Sequence, residues 1–188
     1  MNHKDYSNWF GINGFHTIFS YNKDDYSILD NRKAFASSNK FDNNALVIPK
    51  QVHSNNVCNA TESGYFEETD GVISSDKGIV LTIQVADCMP LFLLDIKNEN
   101  WGLVHSGWQG TAKNIARESI RKLREAGSDP QNIKALIGPS INQCCFEVGS
   151  EVSVQFNSVF SINGKGDSKM VDLKSILKLH LLDLVIQN

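Results

Sequence analysis

The chain has 188 residues, a net charge of −3 and 41% hydrophobic residues, which suits one domain, 1–188, with a substantial core. Lys and Arg are scattered rather than striped, which excludes nucleic acid as the main partner, and no apolar stretch approaches membrane-spanning length. The segment Met1–Tyr6 lacks the apolar centre of a signal peptide. Cys58, Cys88, Cys144 and Cys145 show no disulfide framework, so a cytoplasmic setting is expected.

The first forty residues are polar and weakly patterned, and there is no internal repeat. From Ala45 the pattern sharpens. Ala45 to Ile48 reads as a short strand ended by Pro49, Gly71 to Ser74 as another, and Ile79 to Val85 as a longer β-branched one. Leu91 to Leu94 and Trp101 to His105 follow closely, so some antiparallel pairing is expected. Ala112, Ile115, Ala116, Ser119, Ile120 and Leu123 recur at helical spacing, with Gly127 as the stop. Ile133 to Ile137 is a strand running into the Gly138-Pro139 turn. Val152, Phe156, Val159 and Phe160 predict a second helix. Asp172 caps a third, with Leu173, Ile176, Leu177, Leu181 and Leu184 on its buried face. Strand clusters with flanking helices give an α+β domain.

Three apolar runs end in a metal-binding residue type: Gln51-Val52-His53, Val85-Ala86-Asp87-Cys88 and Gly102-Leu103-Val104-His105. Two imidazoles and a thiolate suit Zn²⁺, and three protein ligands leave one tetrahedral position open, as in catalytic sites. The three are far apart in the chain, so the fold must assemble them; zinc fingers bring ligands in close pairs. Taken singly, Cys88 is a small buried hydrophobe and each histidine a hydrogen-bonded filler. Asp87 is a general base, a partner behind a ligand histidine, or an ordinary turn carboxylate. Ser106 to Thr111, with Gly107 and Gly110, reads as a strand-to-helix loop whose amides can cradle phosphate, or as a plain tight turn. Trp108 stacks on a base or packs in the core, and Gln51 orients the site through hydrogen bonds. His16 and His180 lack such context.

The motifs Val85-Ala86-Asp87-Cys88-Met89-Pro90-Leu91, His105-Ser106-Gly107-Trp108-Gln109-Gly110-Thr111 and Ile137-Gly138-Pro139 through Cys144-Cys145-Phe146-Glu147-Val148 together resemble one family. Gln51-Val52-His53 and Thr69-Asp70-Gly71-Val72-Ile73 fall in the same order. It is the bacterial, YfiH-like family once described as multicopper polyphenol oxidases or laccases and now regarded as zinc-dependent purine nucleoside phosphorylases. The resemblance runs from about Asn31 to Asp172. It implies an α/β/β/α sandwich with mixed sheets and a metal held by His53, Cys88 and His105. It also implies phosphorolysis of adenosine or inosine, extending to methylthioadenosine, with adenosine deamination as a side activity. Asp87 and Cys88 are then the catalytic candidates, and Gln51, Gly107, Trp108, Gln109, Gly110 and Thr111 the substrate-binding ones. Purine nucleosides and phosphate are the expected partners, and neither nucleic acid nor membrane is expected. Cys145 and Glu147 acquire no role. Gln109 stands where the family usually has Arg, a fork suited to phosphate. The family's usual Arg- and aromatic-rich C-terminal stretch does not follow Asn188, as in a shortened member, a fragment or a degenerate copy.

Other readings stay in view. His53, Cys88, His105 and the adjacent Met89 suit a copper ion as the alternative occupant. A multicopper oxidase needs roughly eight further imidazoles, and the chain has five histidines in all. Cys88 with His105 also suits a metal-free cysteine hydrolase. Gln109 and the short C-terminal end suit a non-catalytic nucleoside-binding homologue.

Overall fold

In the computed structural model, which describes residues 3–21 and 24–184, Met1 and Asn2 of the N-terminal segment read above lie outside the described residues. The run Met89–Asp95 is buried along its whole length, so it must be covered on both faces. The elements that cover it follow in chain order. They are β1 (His3–Asp5), α1 (Ser7–Phe10), β2 (Ile18–Ser20), α2 (Leu29–Ser38), β3 (Leu46–Pro49), β4 (Val57–Asn59), β5 (Gly64–Phe66), β6 (Gly71–Ser74) and β7 (Val80–Leu81). Next come β8 (Met89–Asp95), β9 (Trp101–Ser106), α3 (Trp108–Ala112), α4 (Ile115–Glu125), β10 (Ile133–Ile137), β11 (Glu147–Val148), α5 (Ser150–Ser153), β12 (Ser161–Asn163), β13 (Lys169–Val171) and α6 (Leu173–Leu182).

The main sheet has the order β10-β8-β9-β6-β4. Its pairs are antiparallel except β4 with β6. Side-chain alternation sorts it into two faces. Leu91 and Leu93 of β8, Val104 of β9 and Ile73 of β6 point one way and pack on Ile115, Ile120 and Leu123 of α4 and on Ile176, Leu177 and Leu181 of α6. Phe92, Leu94, Trp101 and Leu103 point the other way, toward Phe10, Ile12 and Phe15. On that same side Val72 of β6 meets Val47 of β3, in a smaller parallel sheet ordered β5-β3-β7. The alternate residues of β3, Leu46 and Ile48, face outward onto Ala36 of α2. Helices, sheet, sheet and helix therefore stack in the expected α/β/β/α order. A three-stranded antiparallel sheet, β11-β13-β12, leads into α6.

The two long C-terminal helices form where the spacing predicts them. Asn114 accepts the Arg117 amide at 3.0 Å to start α4, and Gly127 takes the left-handed φ of +94° that stops it. Asp172 accepts the Ser175 amide at 3.0 Å to start α6.

Two elements differ from the sequence reading. Only Val80 and Leu81 of the run Ile79 to Val85 form a strand. Their partner β3 ends at Pro49, which has no N–H to extend the ladder; beyond it the Gln51 side-chain amide takes over, donating to the Gln84 carbonyl and accepting the Gln84 amide, both at 2.8 Å. The second helix is also absent. Residues 150–153 make one turn and Ser158–Phe160 a 3₁₀ turn, divided by Asn157, whose side chain accepts the Val159 amide. Val159 lies 75% exposed, so the apolar spacing there does not mark a buried face.

This contrast is testable by denaturant unfolding. Leu91→Ala, at a fully buried position, should cost about 2–5 kcal/mol. Val159→Ala should stay within about 0.5 kcal/mol of the parent.

Candidate metal centre

Asp70 comes just before β6, and Gly71 pairs with Val104 across to β9. That register sets Asp70 beside His105, whose backbone amide donates to the Asp70 carbonyl at 2.7 Å. The Asp70 side chain is fully buried, where a carboxylate must find donors for its lone pairs. One carboxylate oxygen lies 2.8 Å from His105 Nδ1 and accepts the His53 amide at 3.0 Å. The other accepts the Val52 amide at 3.2 Å and both the amide and hydroxyl of Ser54 at 2.7 Å. Three consecutive amides thus wrap one carboxylate, and His53 is held at a left-handed φ of +59°, uncommon outside glycine.

The ladder between β8 and β9 supplies the third residue. Met89 is opposite Ser106, so Cys88, one step earlier, lies beside Gly107. The donor atoms of His53, Cys88 and His105 lie within 4.8 Å of one another. A tetrahedral zinc with bonds near 2.0–2.3 Å would need about 3.3–3.6 Å between donors, a small closure. Asp70 occupies Nδ1 of His105, which leaves Nε2 for an ion, the arrangement by which a carboxylate fixes a metal-binding imidazole. The two imidazoles stand edge to face, 4.8 Å between centroids. Exposure is graded, from buried His105 through half-buried Cys88 to exposed His53, so the site opens on one side. A hypothetical Cβ at Gly107 would approach Cys88 Sγ and His53 Cδ2 to 3.2 Å; glycine there leaves room beside the donors.

The donors open into a cavity of about 700 Å³ lined also by Arg32, Lys50, Gln51, Tyr65, Gln84 and Asp87, a volume suited to a small-molecule ligand. Of the residues predicted to bind substrate, only Gln51 lines it, and both ends of its amide are engaged by Gln84. The segment from Gly107 to Thr111, expected as an open phosphate-cradling loop, is helical from Trp108 onward. Thr111 is buried, its hydroxyl donating to the Gly107 carbonyl and paired with Ser106, both at 2.9 Å. A Cβ at Gly110 would lie 2.8 Å from the Ser54 carbonyl, so this glycine permits close backbone packing. Trp108 packs against the main core, and Gln109 lies outside the cavity lining. Asp87 is exposed at the cavity, but the carboxylate behind His105 is Asp70, which the sequence reading assigned no role. Of the two residues left without a role there, Glu147 accepts from the Lys165 amide and Ser168 hydroxyl, pinning the loop between β12 and β13. Cys145 is a free, exposed thiol.

The pair is strongly polarised. Burial alone would raise Asp70, but hydrogen bonds from His105, Ser54 and Val52 prevail and lower it to about 2. Burial alone would lower His105, but hydrogen bonds to Asp70 and Cys88, and their negative charge, raise it to about 9.

A family model described as multi-copper polyphenol oxidoreductase laccase matches residues 11–188. A purine nucleoside phosphorylase of Rickettsia prowazekii (strain Madrid E) is 37% identical over 152 residues, 77% of this chain and 62% of the relative. An adenosine deaminase of an unknown prokaryotic organism is 33% identical over 147 residues, 72% of this chain and 56% of that protein. The crystal structure of YlmD from Geobacillus stearothermophilus superposes with a TM-score of 0.80 at 25% identity, covering 89% of this chain and 69% of that one. The chain thus spans about three fifths of the length of these two sequence relatives. Among the described residues, no helix is long and apolar enough to cross a membrane.

In the metal-free protein, His105 contributes stability fully below its ordinary 6.5 and loses it as pH rises through about 9. Asp70 contributes fully above its ordinary 3.8 and loses it as pH falls through about 2. Asp70→Asn should therefore cost most between about pH 4 and 6.5, on the order of 3–5 kcal/mol, and less on either side. Urea unfolding of both proteins across that range measures it.

Proposed function

The chain belongs to the multi-copper polyphenol oxidoreductase laccase family, and from that membership we propose that it is a zinc-dependent purine nucleoside phosphorylase acting on adenosine, inosine or methylthioadenosine. The observation that carries the proposal is the convergence of His53, Cys88 and His105 on an open cavity of about 700 Å³. It is joined by the likeness to the Rickettsia purine nucleoside phosphorylase. A zinc ion held there would supply Lewis acidity to an oxygen or nitrogen of the nucleoside.

The rest of the chemistry falls to the chain. In phosphorolysis a phosphate oxygen forms a bond to the anomeric carbon as the bond from that carbon to the purine nitrogen breaks. The electron pair leaves with the base, which takes a proton, giving free purine and ribose 1-phosphate, or 5-methylthioribose 1-phosphate from methylthioadenosine. Asp87, exposed at the cavity, is the proposed proton donor or acceptor. Tyr65, also in the lining and 57% exposed, offers a ring face for the purine. Gln51, through its clamp on Gln84, positions the wall of the cavity that it lines.

A second reading rests on the line Asp70–His105–Cys88, in which Asp70 bonds His105 Nδ1 at 2.8 Å and the Cys88 sulfur lies within 4.8 Å of the His105 donor atom: a thiol, a base and an orienting carboxylate, the parts of a cysteine hydrolase. The relative named adenosine deaminase supports a further, metal-assisted reaction at the same donors. A copper oxidase draws only on the family description, and five histidines in the whole sequence are too few for a multicopper cluster.

Two measurements separate these readings. Elemental analysis should find about one zinc per chain, and Cys88→Ala should lose it; equal zinc in both proteins would remove Cys88 from the site. Inosine or adenosine should yield free purine only when phosphate is present. Base release without phosphate that survives chelation would favour the thiol hydrolase. Phosphate-independent conversion of adenosine to inosine would favour the deaminase. Copper-dependent phenol oxidation without nucleoside cleavage would revive the oxidase, and no turnover by the folded, zinc-loaded protein would favour a binding protein.

A further inference from the structure

The cavity in front of the candidate metal centre contains a guanidinium, Arg32, that makes no ion pair, although one carboxylate, Asp87, lines the same cavity. Arg32 projects from the first turn of α2 and is half-buried. Its Nε donates to the Tyr26 carbonyl, Nη2 to Gln84 Oε1 at 3.1 Å and Nη1 to Thr82 Oγ1 at 3.5 Å. All three acceptors are neutral. A guanidinium has five N–H groups, so two remain. Among the described residues no carboxylate lies within ion-pair distance of Arg32, whereas two other basic groups of this lining have theirs: Lys50 pairs with Glu67 at 2.6 Å and His105 with Asp70 at 2.8 Å. A partly desolvated charge is costly unless an anion compensates it.

The placement of Arg32 is tied to the donors. Gln84, which orients its Nη2, is clamped at both backbone atoms by Gln51. Gln51 lies two residues before His53, within the loop that wraps Asp70. A ligand on the guanidinium would therefore sit in a fixed relation to the metal centre. Of the Gly107–Thr111 segment, Thr111 is buried and its amide and hydroxyl are both bonded to the Gly107 carbonyl, and none of the segment lines this cavity.

We propose that Arg32 is the anchor of an oxyanion subsite in the metal-centre cavity, binding inorganic phosphate through its two free N–H groups. The identity of the anion rests on the phosphorolysis reading above; the presence of an anion site rests on the unpaired guanidinium alone. Arg32 holds the tetrahedral anion by a planar fork, which a lysine cannot reproduce. Gln84 and Thr82 are positioning residues that keep the fork aimed.

Calorimetric titration of the zinc-loaded full chain with sodium phosphate, at constant ionic strength, tests this directly. The parent should bind phosphate saturably. Arg32→Met should weaken binding by about tenfold or more, on the scale of a lost charge-assisted hydrogen bond, and Arg32→Lys should recover only part. Gln84→Glu keeps the guanidinium but gives it an internal counter-charge 3.1 Å away, and should weaken phosphate to a similar extent. This near-isosteric variant decides the matter if Arg32→Met does not fold. In turnover, the phosphate KM should rise in step while the nucleoside KM changes by less than about threefold. Phosphorolysis with an unchanged phosphate KM in folded Arg32→Met would overturn the subsite and leave the phosphorylase reading intact. Phosphate binding that depends on Arg32, with no phosphorolysis by the parent, would keep the subsite and overturn that reading. Binding of adenosine 5′-monophosphate but not inorganic phosphate would replace free phosphate with a nucleotide, contrary to the proposal.

Discussion

A single buried carboxylate sets the geometry of the candidate metal centre. Asp70 lies under the loop of residues 52–54 and beside His105, and neutral surroundings cannot hold its charge unpaired. Its hydrogen bonds draw three backbone amides, one hydroxyl and one imidazole onto the same few cubic ångströms. Two of the three donor residues are fixed in the process: His53 through its own amide, His105 through its ring. The third, Cys88, is brought alongside by the β8–β9 register. The sandwich serves this arrangement by keeping β6, β8 and β9 adjacent and in register, with their core face packed on α4 and α6.

The site combines a rigid floor with an open entrance. His105 is buried and tied on two sides, while His53 is exposed and stands on a bend. The cavity wall opposite is also tied by side chains, with Gln51 replacing the ladder that Pro49 ends and Arg32 bracketing Gln84 and Thr82. Both walls are therefore held by polar contacts specific in direction, which preserves spacing better than apolar packing alone.

The convergence of His53, Cys88 and His105, whose donor atoms lie within 4.8 Å of one another, was legible in the sequence because each ends an apolar run, and strand ends on a sheet recur as places where side chains converge. The helices at Ile115 and Leu173 were legible because spacing and caps agreed. What failed did so where tertiary partners decide. The β-branched run from Ile79 to Val85 lacks a partner past Pro49. The Val152 to Phe160 spacing faces solvent. The carboxylate behind His105 is Asp70, a neighbour in the sheet, and not Asp87, the neighbour of Cys88 in the chain. The loop glycines, open in the sequence to a phosphate cradle or a plain tight turn, provide clearance in the fold, Gly107 against the donors and Gly110 against a backbone carbonyl. Arg32 carried no signal, since a lone arginine in a polar helix is ordinary until its surroundings are known.

The wrapping of Asp70 by main-chain amides has a consequence for how this loop can diverge. An N–H is present in every residue but proline, so the contact at position 52 places no demand on side-chain identity, and the half-exposed Val52 side chain is free to change. Position 70 has no such latitude: only a short carboxylate reaches all five donors. A family built on this device would drift freely at one end of the same hydrogen bond and stay fixed at the other. Proline would be the one residue barred from the drifting end.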